Sequence, residues 1–108
     1  MKLAELFRAI GAVAQAGGTA AQCEALARDA ENLADMVGWA PGPIDPGGQW
    51  LARLATLQAD LQDRYARTNE TALVVLNDRL TRLGQAIAQH DEDQEAEPGD
   101  YDEGEDFQ

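Results

Sequence analysis

One segment divides this chain before any helix or strand is assigned. Residues 38–49, Gly-Trp-Ala-Pro-Gly-Pro-Ile-Asp-Pro-Gly-Gly-Gln, hold three of the four prolines and four of the ten glycines. Proline removes a backbone donor, and glycine loses the most conformational freedom on ordering. The stretch is therefore a connection, not the interior of a helix or strand. Whatever lies on either side must form its own secondary structure and meet across it.

Both sides carry a helical period. Leu3, Leu6, Phe7, Ile10, Val13 and Ala14 recur at steps of three and four, with Lys2, Glu5 and Arg8 off that face. Gly17-Gly18 breaks the pattern. Thr19 then offers an N-cap and Gln22, three residues on, completes a capping box. A second stripe follows through Cys23, Leu26, Ala27, Ala30, Leu33, Ala34 and Val37, with Gly38 as its expected C-cap. Beyond the connection, Asp45-Pro46 resembles an N-cap with proline in the first turn. Apolar periodicity then runs from about Gly48 to about Gln89. Trp50, Leu54, Leu57 and Leu61 share one phase; Leu73, Leu76, Leu80, Leu83 and Ile87 share another. The phase changes near Thr68-Asn69-Glu70-Thr71, where the helix is expected to bend or to break with Thr68 or Asn69 as a cap. Trp39 and Ile44 are expected to fold back as an apolar plug over the helix ends. The fold class is all-α: a helical hairpin or a small three- to four-helix bundle.

Charge separates the chain a second way. The formal net charge is -12, yet ten of the twenty acids lie between Asp91 and Gln108, where there is no base. The rest holds ten acids against all eight bases, so the body is nearly neutral. A like-charged segment with little apolar surface cannot offset the entropy of ordering. The expected division is a helical domain over residues 1–89 and a disordered acidic tail over 90–108. A core of about ninety residues is thin, so a homo-oligomer is expected. The seven Arg and one Lys are scattered and form no row to neutralise phosphates, which disfavours direct nucleic-acid binding and adsorption to an anionic membrane. No stretch reaches the ~18 apolar residues that span a bilayer. Glu5 and Arg8 interrupt what would be a signal-peptide core, so a cytoplasmic protein is expected.

Side chains for chemistry are few. There is no serine, one cysteine and one histidine. Cys23 falls on an apolar stripe, which predicts a buried, inert thiol. His90 reads as a cation favoured by the C-terminal end of a helix dipole. An EF-hand loop starting at Asp91 fails at its sixth position, which is Ala96. Asn69-Glu70-Thr71 has the form of a glycosylation sequon but lies within a helical pattern. No cofactor or catalytic set is expected.

The tail is the most specific feature. Its acids surround Tyr101 and Phe107. Such a segment either keeps the body soluble or docks on a basic groove with the aromatics as anchors. The aromatics favour docking. The expected function is a non-enzymatic adaptor, chaperone or small regulator engaging a basic protein partner through Tyr101, Asp102, Glu103, Glu105, Asp106, Phe107 and Trp39. One alternative is an acidic nucleic-acid mimic that occupies the DNA site of another protein. Another rests on a resemblance. Helices joined by a tryptophan-containing turn, followed by Tyr101-Asp-Glu-Gly-Glu105 in the form Tyr-x-x-x-Asp/Glu, resemble the small Trp-x-Gly hairpin proteins of type VII secretion. The resemblance implies a helical-hairpin dimer exported by that machinery. The turn here reads Trp39-Ala-Pro-Gly42 in place of Trp-x-Gly, so the resemblance stands as an alternative only.

Overall fold

The computed structural model describes the backbone of residues 2–96 and the side chains of residues 2–94. The chain is all-α, as expected. Helix α1 spans Leu3–Ala16, α2 Ala20–Met36, α3 Gln49–Thr68 and α4 Thr71–Ala96; a 3-10 turn, Val37–Trp39, follows α2.

The local signals act as read. Thr19 Oγ1 accepts from the Gln22 N–H at 3.0 Å, and Gln22 Oε1 accepts from the Thr19 N–H at 2.8 Å. Gly17 adopts φ 86°, ψ 168°, a region open essentially to glycine. A Cβ there would also clash with the Arg64 guanidinium. The long apolar run breaks in two. Asn69 takes a left-handed conformation (φ 59°, ψ 29°), and its N–H closes α3 on the Tyr65 carbonyl at 2.8 Å. Asparagine tolerates this backbone better than most residues. Because the break reverses the chain, α4 folds back along α3. The two apolar phases then face one core instead of following a single rod.

Two helical hairpins result, and they lie side by side. In the first, Leu3 of α1 and Leu33 of α2 line one cleft, and Val13 and Leu26 another. In the second, a Cβ on Gly84 would sit 3.4 Å from Leu54, and Gln58 Nε2 donates to Thr81 Oγ1 at 2.6 Å. Phe7 packs edge-on against Trp50, ring centres 5.5 Å apart, and Gly11 lies against Leu57, so α1 and α3 run parallel. Glu31 of α2 pairs with Arg79 and Arg82 of α4; Cys23 shares a cleft with Thr71 and Ala72, and Leu33 one with Leu83 and Ile87, so that pair is parallel as well. Helix contacts follow the ring α1, α2, α4, α3. Phe7, Leu6, Ile10, Leu61, Leu73, Leu76, Leu80 and Leu83 fill the centre, each under 2 % exposed.

This arrangement defines two ends. The closed end carries the short turns 17–19 and 69–70. The open end carries the start of α1 and α3, the end of α2, the connection 40–48, and the passage of α4 toward its terminus.

Several expectations change. Helix α2 stops at Met36, and Gly38 lies inside the 3-10 turn instead of capping the helix. Helix α4 continues to Ala96, so residues 90–96, expected in the tail, are helical. His90 is consequently not at a helix end. The plug is half realised. Ile44 packs against the core, whereas Trp39 points outward and is 84 % exposed. Trp39 also lies between the two hairpins, not at the tip of one as the type VII resemblance implies. The acidic tail beyond Ala96 lies outside the described residues.

Candidate functional site

The connection 40–48 has no regular structure to satisfy its backbone, and α4 supplies the missing partners. The stripe Leu80, Leu83, Ile87 continues at its next steps of three and four into His90 and Asp91. Both are buried. Asp91 Oδ1 accepts from the Ile44 N–H and Oδ2 from the Asp45 N–H, each at 2.7 Å. These are short, charge-assisted bonds on both carboxylate oxygens. His90 Nε2 lies 3.0 Å from the Gly42 carbonyl oxygen. A carbonyl only accepts, so Nε2 carries the proton.

The chain of acceptors goes one step further. Asp45 Oδ1 accepts from the Trp50 N–H at 2.9 Å, and Oδ2 from the Leu51 N–H at 2.8 Å. Asp45 thus caps α3, as its type suggested, but from beyond the turn Pro46-Gly47-Gly48 and not from the position next to the helix. Its charge also sits at the positive end of the α3 dipole. Asp91 holds the backbone of Asp45, and Asp45 holds the start of α3. The end of one helix is tied to the beginning of another through the connection.

Beneath the clasp lies an apolar cleft of about 140 Å³. Leu3, Leu33, Val37, Ile44, Leu83 and Ile87 contribute to its wall, together with Ala40 and Met36, so every lining side chain is apolar. Met36 is about half exposed at the rim. Trp39 adjoins Ala40 in the chain and stands free. The cleft is open to solvent and smaller than the ~300–1,000 Å³ of ligand and cofactor pockets.

Larger, more polar clefts lie between α1 and α2 (about 470 Å³, with Gln22 and Asp29 in the wall) and at the closed end (about 360 Å³, with Asn69 and Glu70). Val74 and Val75 are half exposed on the first turns of α4. Asp60 and Asp63, off the apolar stripe of α3, face solvent. Cys23 is 1 % exposed, and burial, the largest cause, pushes its thiol pKa up, with nearby Glu70 adding to the rise. Among the described residues no group of three or more His, Cys, Asp and Glu side chains is placed to hold a metal ion. No described helix is long and apolar enough to cross a membrane.

Of the residues nominated from sequence, Trp39 is at the open end. Tyr101, Asp102, Glu103, Glu105, Asp106 and Phe107 lie outside the described residues. Sequence reasoning missed Asp91 and His90 as partners of the connection, because both were assigned to the tail. The available signal was the apolar period, whose next register falls on them. No family model, curated protein or solved structure matches this chain.

Proposed function

We propose that this protein is a non-enzymatic interaction module whose open end binds a basic protein partner. One observation carries the reading. Trp39, 84 % exposed, precedes Ala40 of the apolar cleft wall, at the end of the bundle toward which α4 runs. An exposed tryptophan this large has no structural use, because the core closes without it. Tryptophan is among the residue types that dominate binding energy in interfaces, and the adjoining acids supply long-range attraction to a basic surface. The two apolar stripes are buried between hairpins of one chain, so self-association serves the interaction surface rather than the core in this reading. The proposed setting is cytoplasmic.

The test is a binding comparison among the full chain, Trp39→Ala and a truncation after Ala96. The truncation must not stop earlier, because removing His90 and Asp91 would release the connection. A basic partner bound by the full chain, with at least tenfold loss in each variant and weakening as salt rises, is the expected result. Equal binding by all three would move function to the helix faces and leave the tail as a solubility device. Sedimentation of the same samples reads the oligomeric state.

A further inference from the structure

We propose that the connection 40–48 and the last turns of α4 form a charge-sensitive latch: neutralising the acidic end of α4 fastens the connection, and leaving it charged loosens it. Its use in regulating the interaction site rests on the function proposed above; the latch itself does not.

Three observations carry the coupling. The first concerns the connection. Pro41, Pro43 and Pro46 have no N–H to donate. The backbone of residues 41–47 hydrogen-bonds to another element only through His90 and Asp91, at Gly42, Ile44 and Asp45. The second concerns α4. Among the described side chains, Ile87 is the last buried apolar one of this helix. Beyond it His90 and Asp91 are buried, whereas Ala88, Gln89, Glu92 and Asp93 are exposed. The same three bonds therefore dock the final turns and hold the connection, so each segment orders the other. The third concerns charge. From Asp91 to Ala96 there are four acids and no base. They occupy the last turns of α4, where the free backbone carbonyls already carry partial negative charge. Acids in that place destabilise a helix, and neighbours of like sign add to the effect. Whatever stabilises this helix end must stabilise the connection through the same coupling. Ile44 of the connection lines the apolar cleft and Asp45 caps α3, so fastening sets the cleft wall and the start of α3. A cationic partner that neutralises the end of α4 thus orders the site it approaches.

The latch is tested on the full chain, without a partner, by amide hydrogen exchange at constant pH. Glu92 is exposed and makes no hydrogen bond or ion pair among the described residues, so changing it leaves the clasp intact. Glu92→Gln is expected to raise protection of the Ile44 and Asp45 amides about two- to fivefold, the effect of one charge at a helix end, and Glu92→Lys to raise it further. Added NaCl should act in the same direction. The Asn69 and Leu73 amides at the closed end should not move. With Asp91→Ala in place, Glu92→Gln should still protect the last turns of α4 but no longer Ile44 and Asp45. Ile44 and Asp45 amides unmoved by either change at Glu92 would overturn the proposal. So would a rise shared equally by the closed end, which reports global stability, or one that survives Asp91→Ala. A confirmed latch with no basic partner would defeat only the proposed function; a bound basic partner with an unmoved latch would defeat only this inference.

Discussion

Asp91 shows how much one side chain can decide. Its two oxygens are the acceptors for consecutive N–H groups of the connection, and no helix or sheet ladder offers those groups another partner. Asp91→Ala leaves one buried and one part-buried donor unpaired and is expected to lower stability by about 1–3 kcal/mol, the usual cost of orphaning such groups. Asp91→Asn keeps one acceptor oxygen and should fall between. Urea unfolding of the three proteins measures the order. Hydrogen exchange should show Ile44 and Asp45 opening first in the alanine variant. Cys23 makes a prediction about pH. Its thiol pKa is raised in the folded state, so the unfolded chain ionises first as pH climbs past the ordinary thiol value of 9.0. The thiol's contribution is fully present below that pH and is lost as pH rises toward the folded pKa. Cys23→Ala should therefore flatten the alkaline arm of a stability profile, and native Cys23 should resist alkylation until the protein opens.

At the scale of elements, the turn at Asn69 is the decisive event, because it converts a possible rod into a hairpin. The left-handed backbone there predicts a simple series. Asn69→Gly should be neutral or slightly stabilising, since glycine adopts this conformation freely. Asn69→Val should cost about 1–2 kcal/mol, the penalty of placing a side chain in that region. Thermal denaturation distinguishes the pair, and a destabilised glycine variant would show that the cap acts by some other means. The shift of apolar phase near Thr68 made a bend or break legible. It did not say which, because a kinked rod and a reversed hairpin place the same residues on a stripe. What selects the hairpin is the match between partners. Gly84 lets Leu54 approach closely, and Glu31 meets Arg79 and Arg82 only when α4 lies along α2.

Across the whole molecule, the two tryptophans divide the labour. Trp50 packs its ring against Phe7 and joins the hairpins; Trp39 packs against nothing comparable. Trp50→Ala is expected to cost roughly 3 kcal/mol, and Trp39→Ala less than about 0.5 kcal/mol. Acrylamide should quench Trp39 and spare Trp50, which the single-tryptophan variants would report directly. A large loss of stability on removing Trp39 would mean that the exposed ring is structural after all, and the proposed binding role would lose its main support. The same contrast explains a sequence-level error. Trp39 and Ile44 are both apolar members of one loop, and nothing in their spacing tells which turns inward. The 3-10 turn after α2 sends Trp39 outward, whereas Asp91 grips the backbone at Ile44 and draws that residue in.

By itself the sequence determined the helices, the breaks at Gly17-Gly18 and at the proline-rich connection, the capping box of Thr19 and Gln22, the core positions and the location of the charge. These follow from interactions within about four residues, where periodicity and caps act. Only the tertiary structure decided that the hairpins lie parallel, that α4 runs on to Ala96, and that His90 and Asp91 belong to the body. The bonds responsible join residues 46 to 48 positions apart. At that separation an acid looks the same in sequence whether it faces water or a buried pair of N–H groups. The difference is made by which backbone is brought beside it.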